Sequence, residues 1–340
     1  MTNPFDTLLA DQAGVVTRAQ LRGIGIAKAQ LDRMVRRREL VRMLPGVFVN
    51  HTGDPTWIQR AWAGTLYYAP AALGKASALR AANGPGWQPE LEAGPITITV
   101  EEDRHVRSQP GYLICRQVDF DQRVQAGGPP RVRIEEAVLD VAAERPSTMD
   151  ALEVIADACR SRRTTPARLL AALQQRKRLR RRAWLLGVLQ DIAEGSSSVL
   201  ERDFVTLVER PHGLPTALRQ VVRAGVLGRR YDDVVYERYG VGVELDGALF
   251  HASSRQRDRD LDRDLDAAVE GRRTLRLGWG QVHDRPCLTA ARLAVILQAK
   301  GWAGRPTACR PGCPVGVESG VRRNNPVAPA HLVRRNNRVV

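Results

Sequence analysis

The chain has 340 residues, 43% of them hydrophobic, enough for about two or three domains with a sizeable core. It has no apolar run of about 18 residues and no basic N-terminal stretch leading into an apolar one, so neither a membrane span nor a secretory signal is expected. The net charge of +15, almost all arginine, makes a polyanion the default partner, with nucleic acid ahead of a membrane surface because no basic amphipathic helix with bulky aromatics occurs.

The segment up to Asn50 reads as three short helices and a hairpin. "PFDTLLADQ" is helix-like, and "TRAQLRGIG" opens on Thr17, a good N-cap, and closes at Gly23 to Gly25. "AKAQLDRMVRRREL" gathers Leu31, Met34 and Val35 on one face, with Arg33, Arg36, Arg37 and Arg38 on or near the other. "LVRMLPGVFVN" then alternates like two strands around a turn at Pro45-Gly46. This is the order of a winged helix-turn-helix. "GVVTRAQLRGIGIAKAQLDRMVRRRELVRMLPGVFV", Gly14 to Val49, resembles the N-terminal domain of the type IV (abortive-infection) antitoxins. The resemblance implies DNA binding through the third helix, with Arg33, Arg36, Arg37 and Arg38 as the nucleic-acid-binding residues; a toxin is a candidate partner that the resemblance does not by itself imply.

Residues 53–195 read as an α+β connecting domain. "TWIQRAWAGTLYYAP" and "GKASALRAANG" are helical, "PITITVEE" and "GYLICRQV" are strand-like, and helices return from "RIEEAVLDVAAE" onward. The run Arg176, Lys177, Arg178, Arg180, Arg181, Arg182 reads as a solvated basic face that offers contact to nucleic acid. No catalytic constellation is evident here. Residues 303–340 are rich in Pro, Gly, Arg and Asn, with "VRRNN" at Val321 and again at Val333, and read as a disordered basic tail. The five cysteines (Cys115, Cys159, Cys287, Cys309, Cys313) are scattered and odd in number, which points to a reducing cytoplasm rather than a disulfide framework. Cys309 and Cys313 lack a second close Cys or His pair, so they read as free thiols near the tail.

Residues 196–302 form a third unit, in the order helix, three strands, helix, strand, helix. In "SSSVLERDFVTLVERPHGLP", Ser198 and Glu201 fit a capping box, while Leu200, Phe204 and Leu207 space like one buried helical face. "YDDVVYERYGVGVELDG" reads as a hairpin turning near Arg238-Tyr239, with Gly240 allowing a positive φ. With a two-residue loop, Tyr236 faces Val241 and Asp233 faces Glu244, and Asp246 shares their face while Asp232 does not. Opposed residues sit about 5 Å apart, so three carboxylates there repel one another unless a hard cation, Mg²⁺ or Mn²⁺, relieves them.

The motifs "SSVLERDF", "YDDVVYERYGVGVELDGALFH", "RDLDRDLDAAVEG" and "TLRLGW" resemble the PD-(D/E)XK nuclease superfamily, within it the domains related to the very-short-patch-repair endonuclease. The resemblance implies a metal-dependent phosphodiesterase core. On it, Asp233 is the principal metal ligand, Glu244 the second acid, and Glu201 reaches the metal through water. His251 is a general acid/base or phosphate contact, and Asp260 and Arg263 organise the site from the next helix. The superfamily's usual lysine, two residues after the acid, is replaced by Asp246, which supplies no positive charge. The overall expectation is an α+β multi-domain protein of winged helix, connecting domain and restriction-endonuclease-like αβββαβα core. Its preferred function is Mg²⁺-dependent DNA hydrolysis. A second reading is an antitoxin-like transcriptional regulator whose nuclease fold is catalytically silent, and a third is an interaction scaffold.

Overall fold

The computed structural model describes residues 3–84, 94–194, 196, 198–225, 228–247 and 273–315. It is a mixed α/β multi-domain protein, with three separate sheets among the described residues.

The first unit runs α1 (Pro4–Asp11), β1 (Val15–Thr17), α2 (Arg18–Gly23), α3 (Lys28–Arg36), β2 (Val41–Leu44) and β3 (Val47–Val49). Thr17 caps α2, as the sequence led us to expect, and Gln20 completes a capping box with it. Pro45-Gly46 makes the turn, with Gly46 at φ +77°. The sequence reading missed β1, which pairs with β3 and gives the sheet order β1-β3-β2. Strand alternation divides this small sheet between two cores. Val16 and Phe48 join Leu21, Leu31 and Leu40 beneath the helices, whereas Val15, Val47 and Val49 join Trp57 and Ala61 of the next unit. The winged helix is therefore seated on α4 (Trp57–Tyr67), whose Gln59 Nε2 donates to the Ala13 carbonyl at 3.0 Å.

The middle unit continues with β4 (Ala72–Leu73), α5 (Lys75–Asn83), β5 (Ile96–Glu101), β6 (Tyr112–Gln117), α6 (Phe120–Arg123), β7 (Val124–Gln125) and β8 (Arg131–Val132). Four helices follow: α7 (Ile134–Glu144), α8 (Thr148–Arg160), α9 (Pro166–Gln175) and α10 (Arg182–Glu194). Its sheet has the order β6-β5-β4-β8-β7, with β5 and β6 parallel. The basic run after α9 is a solvated face only in part. Arg176 is only 4% exposed and is bonded to Glu136 and Asp140, and Arg182 Nε donates to the Arg176 carbonyl. Arg181 lies over the Trp184 ring and bonds Thr148 Oγ1. Only Lys177, Arg178 and Arg180 are exposed. A run of arginines looks the same in sequence whether or not its neighbours in space are buried acids.

The third unit opens with α11 (Ser198–Asp203) and a π-helical extension, Phe204–Glu209. The wider π turn explains a shift in the buried face: Leu200, Phe204 and Val208 are fully buried, while Leu207 is only partly so. The expected capping box does not form. Asp191 of α10 takes its place, accepting from Val199 N and from the Ser198 hydroxyl, and Glu201 turns to Gln220. Strands β9 (Leu218–Gly225), β10 (Gly228–Tyr236), β11 (Val241–Asp246) and β12 (Arg273–Gly278) form a sheet of order β12-β11-β10-β9, and α12 (Pro286–Ala299) follows. β11 and β12 are parallel, and residues 248–272 between them lie outside the described residues. The rest of the expected strand and helix order is present.

Leu152 and Val188 of the middle unit lie in the same core as Phe204, Val234 and Leu293. Asp284 accepts from the Thr148 and Met149 amides at the start of α8. The boundary expected at 195 thus crosses a shared core. The expected tail also begins too early: Cys313 and Val315 are buried in this core, and Thr307 N donates to the His212 carbonyl at 2.9 Å. These contacts hold a segment whose composition reads as disordered against the body. Among the described residues, no helix is long and apolar enough to cross a membrane.

Candidate nucleic-acid and acidic sites

Helix α3 offers the cationic surface. Leu31 fixes its inner face, Met34 and Val35 are partly buried against the same core, and Lys28, Gln30, Arg33, Arg36, Arg37 and Arg38 are exposed. The hairpin turn between β2 and β3 is only Pro45-Gly46, so the wing projects little, and α3 carries most of the exposed charge. The helix ends in a Schellman motif: Arg38 N donates to the Val35 carbonyl and Glu39 N to that of Met34. Arg38 occupies the position usually given to glycine, at φ +59°. The arginines singled out in sequence therefore differ in role. Arg33 lies on the helix, Arg36 and Arg37 close its C-terminal end, and Arg38 lies beyond it. Lys28 and Gln30, at the other end, were not singled out because neither stands in a charge run.

The acidic hairpin has the expected register. Tyr236 pairs with Val241 and Val234 with Val243, and one more step sets Asp233 opposite Glu244. The connection is longer than a two-residue loop: Glu237–Tyr239 form a 3-10 turn that Gly240 closes at φ +61°. Val234 and Tyr236 of β10, and Val241, Val243 and Leu245 of β11, face the core. The alternation puts Asp233, Glu244 and Asp246 on the other side. Asp232, which shares the core-side face, is 5% exposed.

Each acid has a defined setting. Asp233 is half-buried, and its Oδ2 accepts from Leu245 N at 2.8 Å across the strand pair. Glu244 is half-buried and lies 3.3 Å from Arg276 Nε, its register partner on β12. Asp246 is exposed at the strand end. Arg276 puts a positive charge beside Glu244, and the sequence reading missed it. Its signal is the alternation of "TLRLG", in which Leu275 and Leu277 face inward. Glu201 Oε2 accepts from Gln220 Nε2 at 3.2 Å, and Gln220, on β9, has the left-handed φ of +46°. Beside Glu201, burial pushes the Asp203 carboxyl up, but His283 and Arg202 outweigh it and hold Asp203 below the ordinary range. His251, Asp260 and Arg263 lie outside the described residues.

The hairpin therefore unites Asp233 and Glu244, with Asp246 on their face, while Glu201 is held by β9. Among the described residues, the His, Cys, Asp or Glu ligand atoms that gather as a set of three or more within 4.8 Å lie elsewhere on the chain, not among these acids.

Residues 6–51 match the model of a protein family described as transcriptional regulator, AbiEi antitoxin. No curated protein matches the chain. Among solved structures, the chain is similar to the crystal structure of the RV2827C protein from Mycobacterium tuberculosis, with 19% identity and a TM-score of 0.36 over 57% of this chain and 78% of that one.

Proposed function

We propose that this protein binds duplex DNA through α3 and acts as a transcriptional regulator of the antitoxin type, with a toxin protein as its partner. One observation carries the reading: a winged-helix unit, matched over residues 6–51 by that regulator family, presents Lys28, Gln30, Arg33, Arg36 and Arg37 together on an exposed helix. In such units, residues near the start of the recognition helix contact base edges, and phosphate contacts fix its position. Lys28 and Gln30 hold the first place and the arginines the second. The test is selection by the full chain from a randomised duplex pool. A recovered consensus, lost in Gln30→Ala, is the expected result; an unenriched pool would overturn the reading.

A second reading rests on a separate observation, the apposition of Asp233 and Glu244 on one face. In it, the hairpin binds Mg²⁺ or Mn²⁺ and hydrolyses a DNA phosphodiester. Asp233 and Glu244 would hold the ion and Glu201 would reach it through water; the roles expected of His251, Asp260 and Arg263 fall outside the described residues. The ion supplies Lewis acidity and a more acidic water. Arg276 supports this reading, since it places positive charge next to Glu244, as the replaced lysine does not. We expect Mn²⁺ to raise the melting temperature of the wild type, because a ligand that binds only the folded state stabilises it. Asp233→Asn should abolish that rise. Without metal, the substitution weakens a charge-assisted bond to Leu245 N but also relieves repulsion from Glu244, so its stability should stay within about 1 kcal/mol of wild type. Equal Mn²⁺ responses in the two proteins would retire the metal site and leave the regulator reading standing.

A further inference from the structure

His212, Cys287, Cys309 and Cys313 converge although no two of them are closer in sequence than Cys309 and Cys313. Their ligand atoms all lie within 4.8 Å of one another, and the sulfurs of Cys287 and Cys309 are 3.5 Å apart. Three elements bring them together. His212 ends the 3-10 turn Arg210–His212 after the π-helical segment. Cys287 is the second residue of α12. Cys309 and Cys313 flank a turn in which Cys313 N donates to the Arg310 carbonyl and Gly312 takes φ +77°. His212 is fully buried, and Nδ1 donates to the Val208 carbonyl at 2.8 Å. That bond fixes the tautomer and leaves Nε2 as a lone-pair donor, and Nε2 is buried without any hydrogen-bond partner. A buried imidazole nitrogen with no partner carries a desolvation cost that plain packing does not relieve.

We propose that these four residues form a structural zinc site of the three-cysteine, one-histidine type. The geometry suits zinc: tetrahedral ligation with Zn–S near 2.3 Å and Zn–N near 2.0 Å puts ligand atoms roughly 3.5–3.8 Å apart. The ligand set is soft and has no hard oxygen donor, which disfavours Mg²⁺ and Ca²⁺. The Val208 carbonyl orients the histidine from behind, the usual partner of a zinc-bound imidazole. All four positions are filled by protein, so the site has no open place for substrate and its role is structural. It clamps residues 303–315 and the start of α12 to the end of the π-helical segment. This explains why a proline- and glycine-rich segment stays on the body. The proposal does not depend on whether the acidic hairpin holds Mg²⁺, because the two sites share no residue.

The experiment uses the full chain, purified in reductant without chelator. We expect about one zinc per chain by elemental analysis. Exchange for Co²⁺ should produce the sulfur-to-cobalt charge-transfer band and the intense visible absorption of a tetrahedral site. Cys309→Ser, at an exposed position, should lose the zinc and the intense absorption, whereas Cys115→Ser and Cys159→Ser should keep both. Thiol titration in denaturant with chelator should find all five cysteines free. If Cys309→Ser fails to fold, the Co²⁺ spectra of the wild type and of the Cys115 and Cys159 variants decide the matter alone. Substoichiometric zinc together with no cobalt–sulfur band would overturn the proposal. So would a disulfide between Cys287 and Cys309, whose sulfurs are 3.5 Å apart, seen as three titratable thiols without reductant and located by peptide mapping.

Discussion

Arg176→Ala should lower the unfolding free energy by about 3–5 kcal/mol, the cost of removing one partner from a buried ion pair. Arg176 Nε donates to Glu136 Oε2 at 2.7 Å, and Nη1 lies 2.5 Å from Asp140 Oδ1. Glu136 is 6% exposed and keeps a second cation, Arg123, at 2.9 Å. Asp140 is more exposed and can recover some hydration, so the effect should fall toward the lower end of that range. Arg176→Lys should recover little, because an ammonium cannot donate in two directions from one plane. Arg176→Met combined with Glu136→Gln and Asp140→Asn should recover only part of the loss, since it removes the unpaired carboxylates but deprives the largely buried Arg123 of its anionic partner. By contrast, alanine at Lys177, Arg178 and Arg180 together should change stability by only about 0.5 kcal/mol per site, as expected for exposed positions. Urea denaturation of the four variants checks the set. A loss below about 1 kcal/mol for Arg176→Ala would restore the solvated-face reading of this run.

The parts of this protein that were legible in sequence are those set by local rules. The Thr17 cap, the turn at Pro45-Gly46 and the stripe of Leu31, Met34 and Val35 define the winged helix with no reference to the rest of the chain. The hairpin register followed from Gly240 and the period-two pattern, because a slip of one residue would turn Val241, Val243 and Leu245 away from the core. What escaped depends on distant partners. Strand β1 is three residues long and gains its identity only by pairing with Val47–Val49. The setting of Arg176 depends on acids about forty positions earlier in α7. The cysteine–histidine cluster joins positions 212, 287, 309 and 313, so no spacing rule connects them. Composition misled at 303–315, where burial of Cys313 and Val315 outweighs a loop-like sequence.

Replacing Arg36 and Arg37 with Ala and Arg38 with Gly should weaken binding to every duplex while leaving the ranking among duplexes intact. These residues lie at the C-terminal end of α3, where a helix set in the major groove meets phosphates more than base edges. Among the described residues, Arg37 lies 3.8 Å from Glu39, an exposed pair that contributes little. Each lost phosphate contact should reduce the slope of log affinity against log salt by about 0.9, so three contacts reduce it by up to about 2.7. Glycine is the right replacement at position 38. That residue is held in the left-handed region, where a side chain costs about 1–2 kcal/mol and glycine does not. The triple variant should therefore melt no lower than the wild type, which separates lost binding from lost folding. Gln30→Ala should give the opposite pattern, an unchanged salt slope with weaker discrimination among sequences. Fluorescence anisotropy across a salt series, with one selected and one scrambled duplex, reads both quantities. If the triple variant keeps the wild-type slope while remaining folded, these arginines do not meet phosphate, and α3 is not set in the groove in the orientation proposed.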